Sequence, residues 1–454
     1  MSHVEVILED LTSHPKCPHG PTVLFSRVSD GRRINFFACS ACRDRKQCSF
    51  YLGTEEKMTS IAQQKWKEAT ENFTKCINHR KQFMGLNEIK LMSPSLRRYC
   101  HTCEQFVPSK YVDKHLAHLS TASISDYLLM HPSELLHPLD NPKKEAQFLF
   151  SHTAVKTLVE IIRQQSFSYV LSIGAPRIHE HISSSCEDMT SLLLDIDKRY
   201  HSFFGPLQFC WYNMFNNHFF SKDAKDIFHD FLKQSAGQLV IVMDPPFGGR
   251  IELLAQTVVS INRLNKAVNG SENDLPVLFV FPYFMEPQIL NSFSDFVMLD
   301  YKVDYDNHPL FRDGPKGRKQ GSPVRIFTNI SVSSITLPAD EGYKFCDKCV
   351  RWVSLENRHC NECELCTSKD GRTYVHCQKC QRCVKPTWSH CATCNRCAQT
   401  DHDCSEIVFS QACFHCKEPG HKKRECPKVN HAELQLKRKM GVKTKSRKKL
   451  KRAK

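Results

Sequence analysis

The placement of 24 cysteines constrains this 454-residue chain more than any other feature. Seven fall in 17–103 and fifteen in 346–426, leaving only Cys186 and Cys210 in the 227-residue stretch 119–345. Cysteines this dense and interleaved with histidine read as zinc ligands in a reducing compartment, not as disulfides. Small metal-closed modules are therefore expected on both sides of an ordinary globular middle. That middle is long enough to bury a core of its own.

Within the middle, short apolar runs alternate with longer mixed segments. The runs are 168–174, 191–197, 207–213, 238–244, 276–282, 296–301 and 324–330. Continuous apolar runs of this length suit strands covered on both faces. The segments 152–165 and 249–268 show apolar spacing near the helical period and predict helices. Seven strands separated by helices predict a doubly wound α/β domain with a mostly parallel sheet. Ligands of such folds sit at the carboxyl ends of the strands.

Those ends carry unusual residues. "SIGAPR" places Gly174 and Ala175 directly after the first run, where small residues let a cofactor approach the backbone. Ile173, Pro176 and Arg177 complete that turn. "LLLDID" ends the second run on Asp195, an acid suited to ribose hydroxyls and equally suited to capping a helix. The third run ends at Asn213, followed by Met214 and Phe215, where Asn213 can reach an adenine ring edge. The fourth ends on Asp244-Pro245-Pro246-Phe247, with Gly248 and Gly249 next.

This order resembles the class I S-adenosylmethionine-dependent methyltransferases of amino groups, whose signature [D/N/S]-P-P-[Y/F/W] "DPPF" fits in full. Upstream, "EAQFLFSHTAV" resembles the Q-[FY]-x-[ST] segment of the N6-adenine enzymes of this class, which places Gln147 in the pocket. "SIGAPR" departs from the usual E/D-x-G-x-G of motif I. The resemblance implies a Rossmann-like, seven-stranded domain, S-adenosylmethionine as cofactor, and Ile173, Gly174, Ala175, Pro176, Arg177, Asp195, Asn213, Met214, Phe215 and Asp244 around it. The chemistry accounts for the signature. An adenine amine is a weak nucleophile and must be held in line with the methyl donor. Asp244 and the Pro245 carbonyl can accept its two N–H bonds, Pro246 stiffens the turn, and Phe247 offers a stacking face.

The front segment "CPHG…GRRINFFACSACRDRKQCSFY" resembles a GRF-type zinc finger, which implies Cys17, His19, Cys39 and Cys48 as ligands, with Cys42 competing for one place. Such fingers associate with single-stranded nucleic acid, and Arg32, Arg33, Phe36 and Phe37 supply charge and aromatic surface. Cys100, Cys103, His115 and His118 look like a tightly spaced C2H2 finger, with both histidines on one side of a helix. Three H-C-x2-C-x2-C repeats follow at the back: His359, Cys360, Cys363, Cys366; His376, Cys377, Cys380, Cys383; and His390, Cys391, Cys394, Cys397. Cys346, Cys349, His402 and Cys404 flank them, enough ligands for about four tetrahedral ions of undetermined pairing. The segment resembles the cysteine-rich domain of DHHC proteins, but "DHDC" is broken at Asp403 and no apolar run is long enough to span a bilayer. Cys413, Cys416, His421 and Cys426 have CCHC zinc-knuckle spacing, with Phe414, Lys422, Lys423 and Arg424 suited to single-stranded RNA.

The formal charge is +15, and eleven of the positive residues lie in the acid-free tail 437–454. The tail serves solubility, or a nuclear or nucleolar address with added RNA affinity. "MSHVEVILED" has no secretory signal pattern, and the chain reads as soluble and intracellular. The expected domains are 1–60, 61–125, 126–340, 341–408, 409–430 and 431–454. Their order is similar to that of the CCHC zinc-finger rRNA N6-adenosine methyltransferases. That resemblance implies methylation of one adenosine in large-subunit (28S) rRNA, structured RNA as partner beside ribosome-assembly or helicase proteins, no membrane, and a nucleolar, nuclear and partly cytoplasmic location. The residues alone also allow N6-adenine methylation of other RNA or DNA, or an inactive methyltransferase fold that binds RNA.

Overall fold

The computed structural model describes residues 4–8, 10–29, 32–41, 47–74, 78–138, 147–308, 310 and 321–404. Cys42, the knuckle 413–426 and the basic tail lie outside the described residues. The chain forms two compact units, Met1–Arg372 and Thr373–Lys454. No helix among the described residues is long and apolar enough to cross a membrane.

The larger unit is built on a mixed sheet of eight strands. In chain order they are β1 (Tyr169–Ile173), β2 (Thr190–Asp195), β3 (Phe209–Asn213), β4 (His218–Phe219), β5 (Leu239–Met243), β6 (Val277–Pro282), β7 (Val297–Met298) and β8 (Val324–Thr328). Their spatial order is β4-β3-β2-β1-β5-β6-β8-β7. The strands from β3 through β6 run parallel, whereas β4, β7 and β8 pair antiparallel with their neighbours. Seven of these strands fall on the seven apolar runs. The eighth, β4, is a two-residue hairpin partner of β3. β7 is shorter than its run; after it, the Leu299 and Val303 amides still donate to the Ile326 and Val324 carbonyls of β8.

Helices cover both faces: α1 (His152–Gln164), α2 (Pro176–Ser185), α3 (Lys222–Ser235), α4 (Ile251–Asn269) and α5 (Glu286–Ser292). The period-two alternation of the strands explains how one sheet serves two cores. Leu171, Ile173, Ile241 and Met243 face α3 and α4, packing with Phe228, Leu232, Leu254 and Val258. Val170, Val240, Val242 and Val280 face α1 and α2, packing with Leu158, Ile162 and Ile178. Both sets are buried, as the unbroken apolar runs require.

At the front of the same unit, Val4–Ile7, Val23–Ser29, Arg32–Ala38 and Tyr51–Gly53 form a four-stranded antiparallel sheet. Neighbouring residues of its third strand point to opposite faces. Phe37 packs against the Cys17, Cys39 and Cys48 cluster, while Phe36 stacks between Phe25 and Tyr51 at 5.8 and 5.0 Å. Of the two aromatics expected to supply stacking surface, Phe37 is thus turned to the cysteine cluster and Phe36 to its strand neighbours. The second finger also departs from expectation. His115 ends a 3-10 helix, Ser109–His115, and His118 lies beyond it, so no α-helix carries both histidines.

Candidate active site

Strand register brings the singular residues together. Ile173 lies opposite both Leu194 and Met243, which places the residues after β1, β2 and β5 at one edge. The Gly174 amide donates to the Leu194 carbonyl at 3.0 Å, and the Asp244 amide donates to the Ile173 carbonyl at 3.0 Å. Chain direction across the sheet reverses between β1 and β5, the switch point where α/β sheets open a ligand crevice. A cavity of about 380 Å³ opens there, lined among others by Gln147, Gly174, Pro176, Asp195, Asn213, Met214, Phe215, Asp244 and Pro246.

The expected site residues divide by position. Ile173 and Ala175 are wholly buried beside the cavity and support its floor. Arg177 turns away from it. Its guanidinium donates to the Phe150 carbonyl at 2.5 Å, to Ser133 Oγ at 3.4 Å, and pairs with Asp306. Gln147 Nε2 donates to Asp197 Oδ2 at 2.9 Å, and Asp197 in turn grips Arg199. Asn213 lines the cavity, yet its amide is engaged on both sides. Nδ2 donates to the His19 carbonyl at 2.9 Å, and Oδ1 accepts from the Phe215 amide at 3.0 Å. Its role is thus to join the first finger to β3 as much as to read a ligand. Pro245 is buried, and Phe247 sits edge-on to Phe281 and Tyr305 at 5.8 and 5.9 Å.

The acids at this edge are perturbed by burial. Asp195 accepts from the Asp197 amide at 2.8 Å, and burial, with the Asp197 charge adding to it, pushes its pKa up to about 7. Burial holds Asp244 well above the usual carboxylate range, opposed by a 2.8 Å hydrogen bond that Tyr305 Oη donates to Oδ1. Two perturbed carboxylates in one crevice make it a candidate functional site. Sequence reasoning missed Tyr305. It lies 61 residues from its partner, in an extended stretch with no motif around it.

The front modules wall the cavity. His19, Ala41, Gln47, Phe73 and Glu104 line it beside the strand ends. Asn216 Nδ2 reinforces the junction by donating to the carbonyls of His19 and Pro21 at 3.0 and 2.8 Å.

The cysteines and histidines gather in tetrahedral-sized groups, with ligand atoms within 4.8 Å of one another: Cys17, His19, Cys39 and Cys48; Cys100, Cys103, His115 and His118; Cys346, Cys349, His359 and Cys366; and Cys377, Cys380, His390 and Cys397. Cys391, Cys394, His402 and Cys404 also approach one another at 3.3–3.6 Å. The repeats are thereby split. His359 and Cys366 close the group opened by Cys346 and Cys349, and His390 and Cys397 close the group opened by Cys377 and Cys380. The residues after Cys103, Cys349, Cys363, Cys380 and Cys394 all adopt positive φ, 48–54°, although none is glycine. A tight turn repeated at that point suits a loop wrapped on a metal ion, and the donor chemistry fits zinc.

Residues 141–312 match the model of the family described as probable N6-adenine methyltransferase, and residues 411–428 match the zinc knuckle family. The chain is 46% identical over 436 residues to rRNA N(6)-adenosine-methyltransferase ZCCHC4 of Xenopus tropicalis, covering 93% of this chain and 89% of that protein. It is 42% identical over 448 residues to the Homo sapiens protein of the same name and 45% identical to that of Mus musculus, each covering 94% of this chain and 86% of the relative.

The chain belongs to the ZCCHC4 methyltransferase family. The matched family segment 141–312 takes in Gln147, the three strand ends and Tyr305.

Proposed function

We propose that this enzyme transfers the methyl group of S-adenosylmethionine to N6 of an adenosine in ribosomal RNA, on a class I methyltransferase domain whose seven main strands run β3-β2-β1-β5-β6-β8-β7. The observation that carries the reading is the meeting of Gly174, Asp195 and Asp244 at one cavity by strand register. The cofactor fits this edge. A glycine clears the first turn, an acid suited to ribose ends β2, and the cavity volume is of ligand size. When bound, it supplies the electrophilic methyl and a positive charge that favours ionised Asp244.

Asp244 accepts one N6–H bond of the adenine and the Pro245 carbonyl accepts the other. Together they hold the nitrogen in line and stabilise the charge that grows on it. The proline pair keeps both acceptors fixed, and Phe247 borders the base. An adenosine inside a helix must be extruded to reach this depth. The zinc groups hold the modules that grip the RNA, and the 28S target and the nucleolar address of the basic tail complete the reading.

The test is tritium transfer from S-adenosylmethionine to rRNA. Asp244→Ala is expected to lower the rate about 10²–10³-fold, as removal of a positioned polar group does, while cofactor titration and melting show a folded protein. Activity above a tenth of wild type refutes the role of Asp244. Wild-type protein that binds RNA but transfers no label is a scaffold.

A further inference from the structure

From the geometry around Asp244 we infer that Tyr305 is a positioning residue for methyl transfer: its phenol fixes the rotation of the Asp244 carboxylate and leaves Oδ2 as the acceptor for the substrate amine. The inference rests on the role of Asp244 proposed above.

Tyr305 is held on all sides. The stretch after β7 runs beside β8, with the Leu299 amide donating to the Ile326 carbonyl at 2.8 Å and Val303 to Val324 at 3.2 Å. Leu299, Tyr301, Val303 and Tyr305 are all buried, alternating with polar residues as on an edge strand. Beyond β8, Tyr305 bridges Phe150, while the Ser151 amide donates to Asp304 and the Asp306 amide to Leu149. Asn307 adds two bonds, accepting from the Leu149 amide and donating to the Gln147 carbonyl. The ring lies 5.2 Å from Phe150 and 5.9 Å from Phe247. Backbone and ring are thus fixed before the hydroxyl is considered.

The hydroxyl reaches Asp244 Oδ1 at 2.8 Å. Among the described residues, Asp244 Oδ2 accepts no hydrogen bond, and Asp244 lines the cavity. A carboxylate held by one oxygen presents the other in a single direction, which an acceptor for an in-line transfer needs. Burial and the neighbouring carboxylate push the Tyr305 pKa well above the phenol range, so the proton stays on Tyr305 and the bond keeps its direction. That bond favours ionised Asp244 against its burial.

Other charged groups surround the pair: Asp304 beside Tyr305, the Arg177–Asp306 pair, and across the cavity Asp195, Glu104 and the Asp197–Arg199 pair. Asp195 also titrates, but it is expected to act on cofactor binding. A limb in kcat and a limb in cofactor KM separate the two.

Tyr305→Phe keeps the ring and removes the bond. The expected result is about a tenfold or greater loss of kcat, cofactor KM within twofold of wild type, and an acid limb of kcat moved to higher pH by about half a unit or more. Melting and cofactor titration verify the fold. A Tyr305→Phe enzyme with wild-type kcat and an unmoved limb overturns the inference while Asp244→Ala remains inactive. Loss of kcat without movement of the limb also overturns it and leaves Tyr305 a packing residue. If Asp244→Ala is itself active, the parent reading fails, and this one with it.

Discussion

Where a side chain on Gly174 would go, two groups already stand. A Cβ there would lie 2.7 Å from Met214 Cε and 2.9 Å from the Asp244 carbonyl oxygen, with φ at +64°. The methionine end can shift, but the carbonyl belongs to the turn that carries Asp244. Gly174→Ala is therefore expected to destabilise the protein by about 1–3 kcal/mol and to weaken cofactor binding. Thermal melting and calorimetric titration check the two effects. A variant with unchanged affinity would show that the turn yields without disturbing Asp244. This residue was legible in sequence, since a glycine after an apolar run announces a close approach. Tyr305 was not, because its meaning comes from a contact made across the sheet edge.

Among the elements, β3 and its hairpin carry the join to the first finger. The His19 ring lies 5.0 Å from Phe73, and Phe73 stacks on Trp211 of β3 at 5.2 Å. The carbonyl of this same histidine, one of the Cys17, His19, Cys39 and Cys48 group, accepts from Asn213 and Asn216. The front module thus shapes a wall of the cavity. Asn216 does not line the cavity, so Asn216→Ala tests the join without removing a lining group. The expected outcome is a loss of about 1–2 kcal/mol in stability and a severalfold weaker cofactor complex, with zinc content unchanged by elemental analysis. Equal cofactor affinity would make the finger an appendage.

The elements also show what sequence can and cannot reveal. The strands were legible because burial on both faces demands unbroken apolar runs, and seven such runs stood out. Hairpin β4 was invisible, since His218–Phe219 has no run of its own. The grouping at the back was undetermined by spacing, because repeats that look like units divide their cysteines and histidines between neighbouring groups. Only the fold of the loops divides them. Arg177 looked like a cofactor contact by position, but its guanidinium turns to Asp306, a partner more than a hundred residues away.

At the scale of the whole molecule, buried acids and buried histidines set opposing pH dependences. Burial raises Asp195 to about 7 and Glu180 to about 8, so the folded protein holds protons that the unfolded chain releases near pH 4. Their contribution to stability is full at low pH and is lost as pH rises through those values. Burial lowers His179 and His201 to about 3 and His218 to about 4, so these contribute stability above about pH 6.5 and lose it as pH falls below. Below about pH 6.5 the two sets oppose each other. Above it the histidines are neutral in both states, and the acids alone tilt the curve downward. Glu180 is the cleaner probe, since it accepts from the amide and hydroxyl of Ser133 at 2.8 and 2.6 Å. Glu180→Gln mimics the protonated acid and leaves the metal groups as they are. The melting temperature of Glu180→Gln relative to wild type is expected to climb between pH 6 and 8.5, by about 2 °C or more. A constant difference across that range would mean that Glu180 is already ionised in the folded protein.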